Sequence, residues 1–364
     1  MSKLTAISLF SGAGGMDVGV NSAGFEVVYA NEINKHAVET YKANFGGAIK
    51  CSDIICELDS MSDYSGVDLV FGGPPCQAFS VAGKMDLDDP RAKLVETFMQ
   101  VVAAVEPKMF IMENVKALAK LSKFGGVRQS LFKAALSNNY EVDLVTLNAK
   151  DFGVPQARER MFFVGIKNAK SFRFKDYINR YYQPEVSTKD ALAHLGKQGS
   201  KNNPATCKAI ITLAARPILR RSPYAGMLFN GAGRPINPNC PSPTLAASMG
   251  GNRTPIIDER QYYGDGNAWV EDYHVHLTDG GMPYDLNSAP PYLRRLTLNE
   301  AKVLHSFPSN FVFEGPPSSI YSQIGNAVPC LLSEVVVKAL LDIVNGLLPN
   351  LDSKDTQDEL PFSD

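Results

Sequence analysis

The side chains best placed to do chemistry lie where apolar runs end. Val67-Asp68-Leu69-Val70-Phe71 passes through Gly72 and Gly73 into Pro74-Pro75-Cys76-Gln77. A run of this length with Val and Phe reads as an interior parallel strand, and open α/β sheets present their ligands at the carboxyl ends of such strands. Glycines let backbone approach a ligand closely and paired prolines fix φ, so the main chain would aim the Cys76 sulfur. Rigid placement suits a covalent nucleophile. A buried structural cysteine is the alternative.

Other run ends carry complementary groups. Phe10-Ser11-Gly12-Ala13-Gly14-Gly15 follows the first run and opens a helix, a turn whose exposed amides suit a nucleotide or nucleoside. Its spacing is neither G-x-G-x-x-G nor the Walker pattern, which gives no support for a pyrophosphate or triphosphate. Asn31-Glu32 ends the second run, where an acid can accept from both ribose hydroxyls. Asp53 follows the next apolar stretch and is placed to accept from an adenine amino group. In this order the pieces describe an adenosine site without a phosphate clamp, and S-adenosylmethionine fits it. Singly, Glu32 and Asp53 also read as solvated loop acids. Met112-Glu113-Asn114-Val115 puts a carboxyl beside an apolar run, where desolvation raises its pKa and lets it donate a proton; a loop acid or helix cap is the alternative. Arg158 and Arg160, two apart in Gln156-Ala157-Arg158-Glu159-Arg160, share one side of an extended chain and can reach one anionic or carbonyl-rich ligand. Surface ion pairs with Glu159 or its neighbours would explain them equally.

Elements must position these groups. Residues 1 to about 170 alternate apolar runs with amphipathic stretches, the pattern of βαβ units on a parallel sheet. Strands are expected at Ala6-Phe10, Glu26-Ala30, Val67-Phe71, Met109-Met112, Val142-Leu147 and Met161-Ile166. Helices are expected at Gly15-Ala23, Lys35-Asn44, Lys93-Val105 and Val127-Asn138. Near residue 171 Pro, Gly, Asn and Ser become frequent and loops dominate. Ser333 to Leu348 is apolar at helical spacing and would pack back on the first domain, and the acidic stretch from Asp352 reads as a frayed tail.

The chain of 364 residues, 45% apolar and 20% charged, has a globular composition and no run approaching the roughly 18 apolar residues of a membrane span. A cytoplasmic protein is expected, with its six scattered cysteines as free thiols. The net charge of −2 hides an asymmetry: Ala191 to Ile257 contains no Asp or Glu but carries Lys197, Lys201, Lys208, Arg216, Arg220, Arg221, Arg234 and Arg253. That favours a polyanion-binding surface over a merely solvated basic face. His274-Val275-His276 would put two imidazoles on one face of a strand, but with no third ligand apparent no metal is expected. Trp269 is expected to pack rather than stack on a base.

Taken together, the ordered segments resemble the cytosine-5 DNA methyltransferases of prokaryotic restriction-modification type. The match is carried by Ser8-Leu9-Phe10-Ser11-Gly12-Ala13-Gly14-Gly15, Gly73-Pro74-Pro75-Cys76-Gln77-Ala78-Phe79-Ser80, Glu113-Asn114-Val115, Gln156-Ala157-Arg158-Glu159-Arg160, Arg295-Leu296-Thr297-Leu298-Asn299-Glu300, Phe307-Pro308 and Gln323-Ile324-Gly325-Asn326-Ala327-Val328-Pro329. The resemblance implies an S-adenosylmethionine-dependent methyltransferase (Rossmann-like) α/β fold, a mixed sheet with helices on both faces, plus a smaller irregular target-recognition domain. The expected division is a catalytic, cofactor-binding domain over 1–174, target recognition over 175–312, a segment at 313–348 completing the catalytic domain, and a tail at 349–364.

The resemblance further implies that Cys76 attacks C6 of a flipped-out cytosine, that Glu113 holds the N3 and amino edge, and that Arg160 holds O2 with Arg158 in support. Cofactor contacts are implied for Phe10, Ser11, Gly12, Ala13, Gly14, Gly15, Glu32, Ile33, Asp53, Ile54, Pro74, Leu94, Asn326 and Val328. Duplex DNA is the implied partner, met by Ser80 and Lys84 of a mobile loop and by Arg216, Arg220, Arg221, Arg234 and Arg253. The expected protein is a monomer in the bacterial cytosol, nucleoid-associated when acting, with any companion endonuclease on another chain. The family's Glu-x-x-Arg-Leu-Gln-Gly-Phe-Pro reads here Glu300-Ala301-Lys302-Val303-Leu304-His305-Ser306-Phe307-Pro308, with Val303 where Arg is common. Ala92 likewise stands where Gly is usual. Three other readings compete. An amino-group methyltransferase needs Asp, Asn or Ser before the two prolines and an aromatic residue after them; Gly73 and Cys76 argue against it. A tRNA cytosine methyltransferase shares the catalytic motifs, and an inert DNA-binding regulator would not need Cys76, Glu113 and Arg160.

Overall fold

A computed structural model of the chain describes residues 3–75, 93–207, 209–264 and 266–349. Cys76, Ser80, Lys84 and Ala92 therefore lie outside the described residues, as do Lys208 and the tail from residue 350.

Strands β1 (Leu4–Leu9), β2 (Phe25–Glu32), β3 (Ile49–Cys51), β4 (Leu69–Gly72), β5 (Met109–Val115), β6 (Tyr140–Asn148) and β8 (Glu159–Lys167) form one seven-stranded sheet in the order β3-β2-β1-β4-β5-β8-β6. The pairs from β3 to β5 are parallel, but β8 runs antiparallel to both β5 and β6. The sheet is therefore mixed, as the family resemblance implied, while the βαβ periodicity by itself pointed to parallel strands. Tyr140–Asn148 returns directly to Glu159–Lys167 without a helix long enough for a crossover, so the two strands pair as neighbours.

Alternation along the strands buries both faces. Ile7, Leu9, Val70, Phe110, Met112, Met161 and Phe163 point into one cluster, under α3 (Lys93–Val105) and α5 (Gly125–Ser137). Ala6, Leu69, Phe71, Ile111, Phe162 and Val164 point into the other. Each fully buried aliphatic or aromatic side chain contributes roughly 1.5–3 kcal/mol, which is why these runs read as continuous apolar segments. Under the second face lie α1 (Gly15–Ser22) and the last helix, α12 (Cys330–Val344). These two pack backbone to backbone: a Cβ at Gly19 would stand 2.4 Å from the Glu334 amide nitrogen, and the Ser333 hydroxyl donates to the Met16 carbonyl at 2.9 Å. The final helix thus starts three residues earlier and stops four earlier than its apolar spacing suggested.

The remaining elements are short. They comprise α2 (Lys35–Phe45), α4 (Lys116–Lys120), α6 (Lys175–Ile178), α7 (Thr188–Leu192), the hairpin β9 (Leu213–Ile218) and β10 (Met227–Phe229), then β11 (Ser242–Pro243), β12 (Ile256–Asp258), α8 (Glu259–Tyr263), α9 (Trp269–Thr278), β13 (Leu293–Arg295), α10 (Leu298–Leu304) and α11 (Pro317–Asn326). Two small apolar clusters fill residues 192–324, one around Leu245, Ile257 and Leu304, the other around Leu228, Tyr273 and Leu293. A buried bidentate pair, Arg294 to Glu300 at 2.6 and 2.8 Å, ties β13 to α10. One strand, β7 (Gln156–Ala157), leaves the main sheet to pair in parallel with β11.

His274 and His276 lie on α9, not on a strand, so two residues of separation turns them to different sides. Their Nε2 atoms meet the carbonyls of Arg220 and Met282. Among the described residues no group of three or more His, Cys, Asp or Glu side chains is arranged to hold a metal, and no helix is long and apolar enough to cross a membrane. Trp269 stacks on Tyr273 with centroids 4.8 Å apart, consistent with packing.

Candidate active site

Strand β1 has β2 on one side and β4 on the other, so the winding of the sheet reverses there and a crevice opens at the strand ends. A cavity of about 650 Å³ occupies it, running from the glycine-rich turn past Gly72–Pro75 to residues 244–247 and 319–328.

The first end is built from backbone turns. Phe10, Gly12 and Gly14 all take positive φ (52°, 56° and 88°), which folds the turn back under the strand. Gly14 does not line the cavity: a Cβ there would lie 2.3 Å from the Phe45 ring, so it serves as the close-packed cap of α1. Phe10, Ser11, Gly12, Ala13 and Gly15 do line it, with Glu32, Ile33, Asp53, Ile54, Pro74, Leu94, Asn326 and Val328. Glu32 accepts from the amides of Gly12 (2.9 Å), Ile33 (2.9 Å) and Asn34 (2.7 Å). A carboxylate has about four acceptor directions. One remains, whereas holding both ribose hydroxyls needs two, so an amide must yield for the full expected contact. Asp53 spends one oxygen on the Ile55 amide at 3.0 Å, capping the turn that follows. Ile33 presents a broad exposed apolar side chain at the rim.

Asp17 is an acid the sequence reading missed. It lines the same end, is fully buried, and accepts from the Tyr41 hydroxyl at 2.8 Å. Burial pushes its pKa up to about 7, against the pull of Tyr41 and Ser8. With Asp17, Glu32 and Asp53 and no Lys or Arg among the lining residues from β1 to β4, this end rejects phosphate and suits a cationic adenosine derivative. The residues present fit S-adenosylmethionine.

Buried charge builds the second end. Strand β5 runs on to Val115, so Glu113 stands inside a strand, opposite Phe162, rather than beyond its end. Burial pushes the Glu113 carboxyl up, opposed by the charges of Arg160 and Arg158. The Arg160 Nε lies 2.9 Å from Glu113 Oε1. Glu113 Oε2 would be 2.8 Å from a Cβ at Gly73, so the carboxyl lies directly against the Gly-Pro-Pro turn that leads into Cys76. Asn114 holds that turn through the Pro74 carbonyl at 3.2 Å.

Arg158 and Arg160 both line the cavity but do different things. Arg158 is buried and gives Nη1 to the Leu245 carbonyl (3.0 Å) and Nη2 to the Gly325 carbonyl (2.8 Å). It clamps two distant segments, whereas Arg160 faces Glu113. The Thr244–Ala247 wall, absent from the sequence reading, is set by this clamp, by Gln156 Oε1 accepting from the Leu245 amide at 3.0 Å, and by the Thr244 hydroxyl donating to the Ala157 carbonyl at 2.9 Å. Arg216, Arg220, Arg221, Arg234 and Arg253 are exposed and lie outside the cavity lining.

Comparisons with known proteins place the whole chain. The model of the C-5 cytosine-specific DNA methylases matches residues 4–342. The chain belongs to that family. A relative from Haemophilus parahaemolyticus, the Type II methyltransferase M1.HphI, is 32% identical over 93% of this chain and 87% of its own length. The Type II methyltransferase M.MthTI of Methanothermobacter thermautotrophicus is 30% identical over 94% and 98%. Among solved structures, the Dnmt2 methyltransferase of S. pombe shares the fold at a TM-score of 0.67, with 18% identity, over 94% of this chain and 99% of its own.

Within this cytosine-5 methylase, the departures from the family pattern have local explanations. Lys302 does not replace the arginine missing at Val303; it donates to the carbonyls of Ser309 and Phe311 at 2.7 and 2.6 Å. Val303 packs on the cluster around Leu304. Ser306, where the pattern has Gly, takes φ 58° at a cost of roughly 1–2 kcal/mol, and its hydroxyl accepts from the Leu331 amide at 3.1 Å.

Proposed function

We propose that this cytosine-5 DNA methyltransferase modifies a flipped cytosine in a specific duplex sequence, with Cys76 as nucleophile and Glu113 and Arg160 on the base. The observation that carries the reading is the pair of buried Glu113 and half-buried Arg160, held against the turn leading into Cys76 and opening into the same cavity as the acidic cofactor end. S-adenosylmethionine, when bound, supplies an electrophilic methyl group to the activated ring carbon. Glu32 and Asp53 orient its adenosine, while Asn326 and Val328 close the opposite wall.

C5 of cytosine is a poor nucleophile until C6 is attacked. The Cys76 thiolate forms the S–C6 bond, and the ring π electrons become available at C5. Negative charge develops toward O2 and N3; Arg160 offsets it at O2, and Glu113, whose carboxyl burial favours the protonated form, donates at N3. Once C5 is methylated, a base removes its proton and the C6–S bond breaks, returning the thiolate. A duplex hides C5 and C6, so the base must leave the stack. The exposed Arg216, Arg220, Arg221, Arg234 and Arg253, with Ser80 and Lys84, are proposed to hold the DNA. The protein is proposed to act as a monomer, as a modification enzyme whose endonuclease partner is a separate chain.

The test is methyl transfer from labelled cofactor to duplex DNA, with 5-fluorocytosine at the mapped site. A stable covalent adduct is expected for the native protein and none for Cys76→Ala, whose methyl transfer should fall by roughly 10⁴-fold or more. Methylation by Cys76→Ala, or modification of tRNA but not DNA, would overturn the reading.

A further inference from the structure

His305 is fully buried between three segments that meet only in the folded chain. Its Nε2 lies 3.0 Å from the Ala327 carbonyl, and its Nδ1 lies 3.0 Å from Gln156 Nε2. The protons on this chain of bonds are fixed by backbone groups that cannot change roles. The Leu245 amide only donates, so the atom 3.0 Å from it is the Gln156 oxygen, and the Gln156 nitrogen faces His305 and the Leu304 carbonyl. The Ala327 carbonyl only accepts, so His305 carries its proton on Nε2 and leaves Nδ1 bare for Gln156. Neutral imidazole satisfies every partner. Imidazolium satisfies them only if Gln156 flips, and a flipped Gln156 turns its NH₂ toward the Leu245 amide and releases it.

We propose that His305, in its neutral Nε2–H form, is a positioning residue that holds Gln156 in the one orientation able to seat the Leu245 wall of the target end. It is not among the residues lining the cavity and acts through Gln156. Leu245 is then gripped at both backbone atoms, its amide by Gln156 and its carbonyl by Arg158. The same ring anchors Ala327, between Asn326 and Val328 of the cofactor wall, so one imidazole couples the two ends of the cavity. The charged groups bearing on it are Arg158 and Arg160, which together with burial hold its pKa well below the usual histidine range. The Cys330 thiol, on the element whose amide meets the His305 carbonyl at 3.4 Å, is pushed up by burial and stays neutral.

The inference rests on the reading of this cavity as the target-base site, and two variants separate it from a purely structural role. His305→Gln supplies one donor and one acceptor but cannot be protonated. It should retain at least about a third of native methyl transfer near pH 8, because it rebuilds both hydrogen bonds. His305→Leu leaves Gln156 without its acceptor and Ala327 without its donor. Its methyl transfer should drop by about 10- to 100-fold, as for one or two buried polar groups left unpaired, with the larger part in turnover and a smaller part in S-adenosylhomocysteine affinity through Ala327. An Nδ1–H or doubly protonated imidazole in the ¹⁵N spectrum of the native protein near pH 8 would overturn the proposal, as would native-like turnover by a folded His305→Leu or a loss in His305→Gln as large as that in His305→Leu. If His305→Leu does not fold, the ¹⁵N spectrum and the turnover of His305→Gln decide. If the native protein transfers no methyl group to DNA, the functional reading fails by itself. Imidazole ¹⁵N shifts then still report the Nε2–H form or refute it.

Discussion

The two ends of one cavity are held in shape by opposite means. At the cofactor end, backbone does the work: left-handed turn residues and three amides fix Glu32, and every contact among these groups is made within about twenty residues of sequence. At the target end, side chains with buried charge reach across 87 and 167 residues, as Arg158 does to Leu245 and Gly325. Local turns tolerate the loss of a side chain; a buried guanidinium stretched between two segments does not. Substitutions at the two ends should therefore fail differently, the first in affinity and the second in turnover.

Four substitutions probe that contrast. Glu113→Gln keeps the shape of the target end but removes the proton donor and the partner of Arg160. Single-turnover methyl transfer should fall by about 10²- to 10³-fold with cofactor affinity unchanged, and a loss confined to cofactor affinity would break the contrast. Asp17→Asn tests the one buried charge at the cofactor end. Because the folded pKa of about 7 lies above the ordinary 3.8, the native protein loses stability as pH rises from about 4 to 7 and is level above that. The asparagine variant should lack this slope and gain on the order of 4 kcal/mol relative to native across the interval, measured by denaturant unfolding at each pH. No change in relative stability would mean that Asp17 is not burdened by its charge.

Arg158→Lys retains the charge but cannot fork to two carbonyls. The loss of one charge-assisted bond, about 2 kcal/mol, should appear as a roughly 30-fold lower turnover on DNA rather than as weaker cofactor binding. Glu32→Ala should do the reverse: S-adenosylhomocysteine binding weakens by about tenfold, read by calorimetry, while turnover at saturating cofactor stays within about twofold. A large turnover defect there would show that the turn transmits strain to the target end.

The same difference explains what could be read from the sequence. The glycine-rich turn, Glu32, Asp53 and the Gly-Pro-Pro-Cys segment were visible because turn chemistry is written in consecutive residues. Strand ends at Phe10, Glu32 and Phe71 followed from apolar runs buried on both faces, and each of those strands was located to within two residues. The antiparallel return of β8 was not visible in βαβ periodicity, since period alone carries no direction. Glu113 was recognised but placed beyond its strand, because a buried acid does not count toward an apolar run. Thr244–Ala247 and the Gln156–His305 link gave no local signal at all; their partners are separated by 87 to 149 residues. Asp17 was passed over because one acid in a glycine-rich helix start resembles an ordinary first-turn acid.

Gly73 has a consequence for how such enzymes diversify. The amino-group methyltransferases place Asp, Asn or Ser directly before their two prolines, and a single codon change in this chain would bring one of them to position 73. Any such side chain would enter the space 2.8 Å from the Glu113 carboxyl. Position 73 and the Glu113 carboxyl therefore compete for the same space. A side chain at position 73 would push the Glu113 carboxyl off the place where it meets Arg160, so the two residues are read as one unit, a bare turn beside a carboxyl that needs the room.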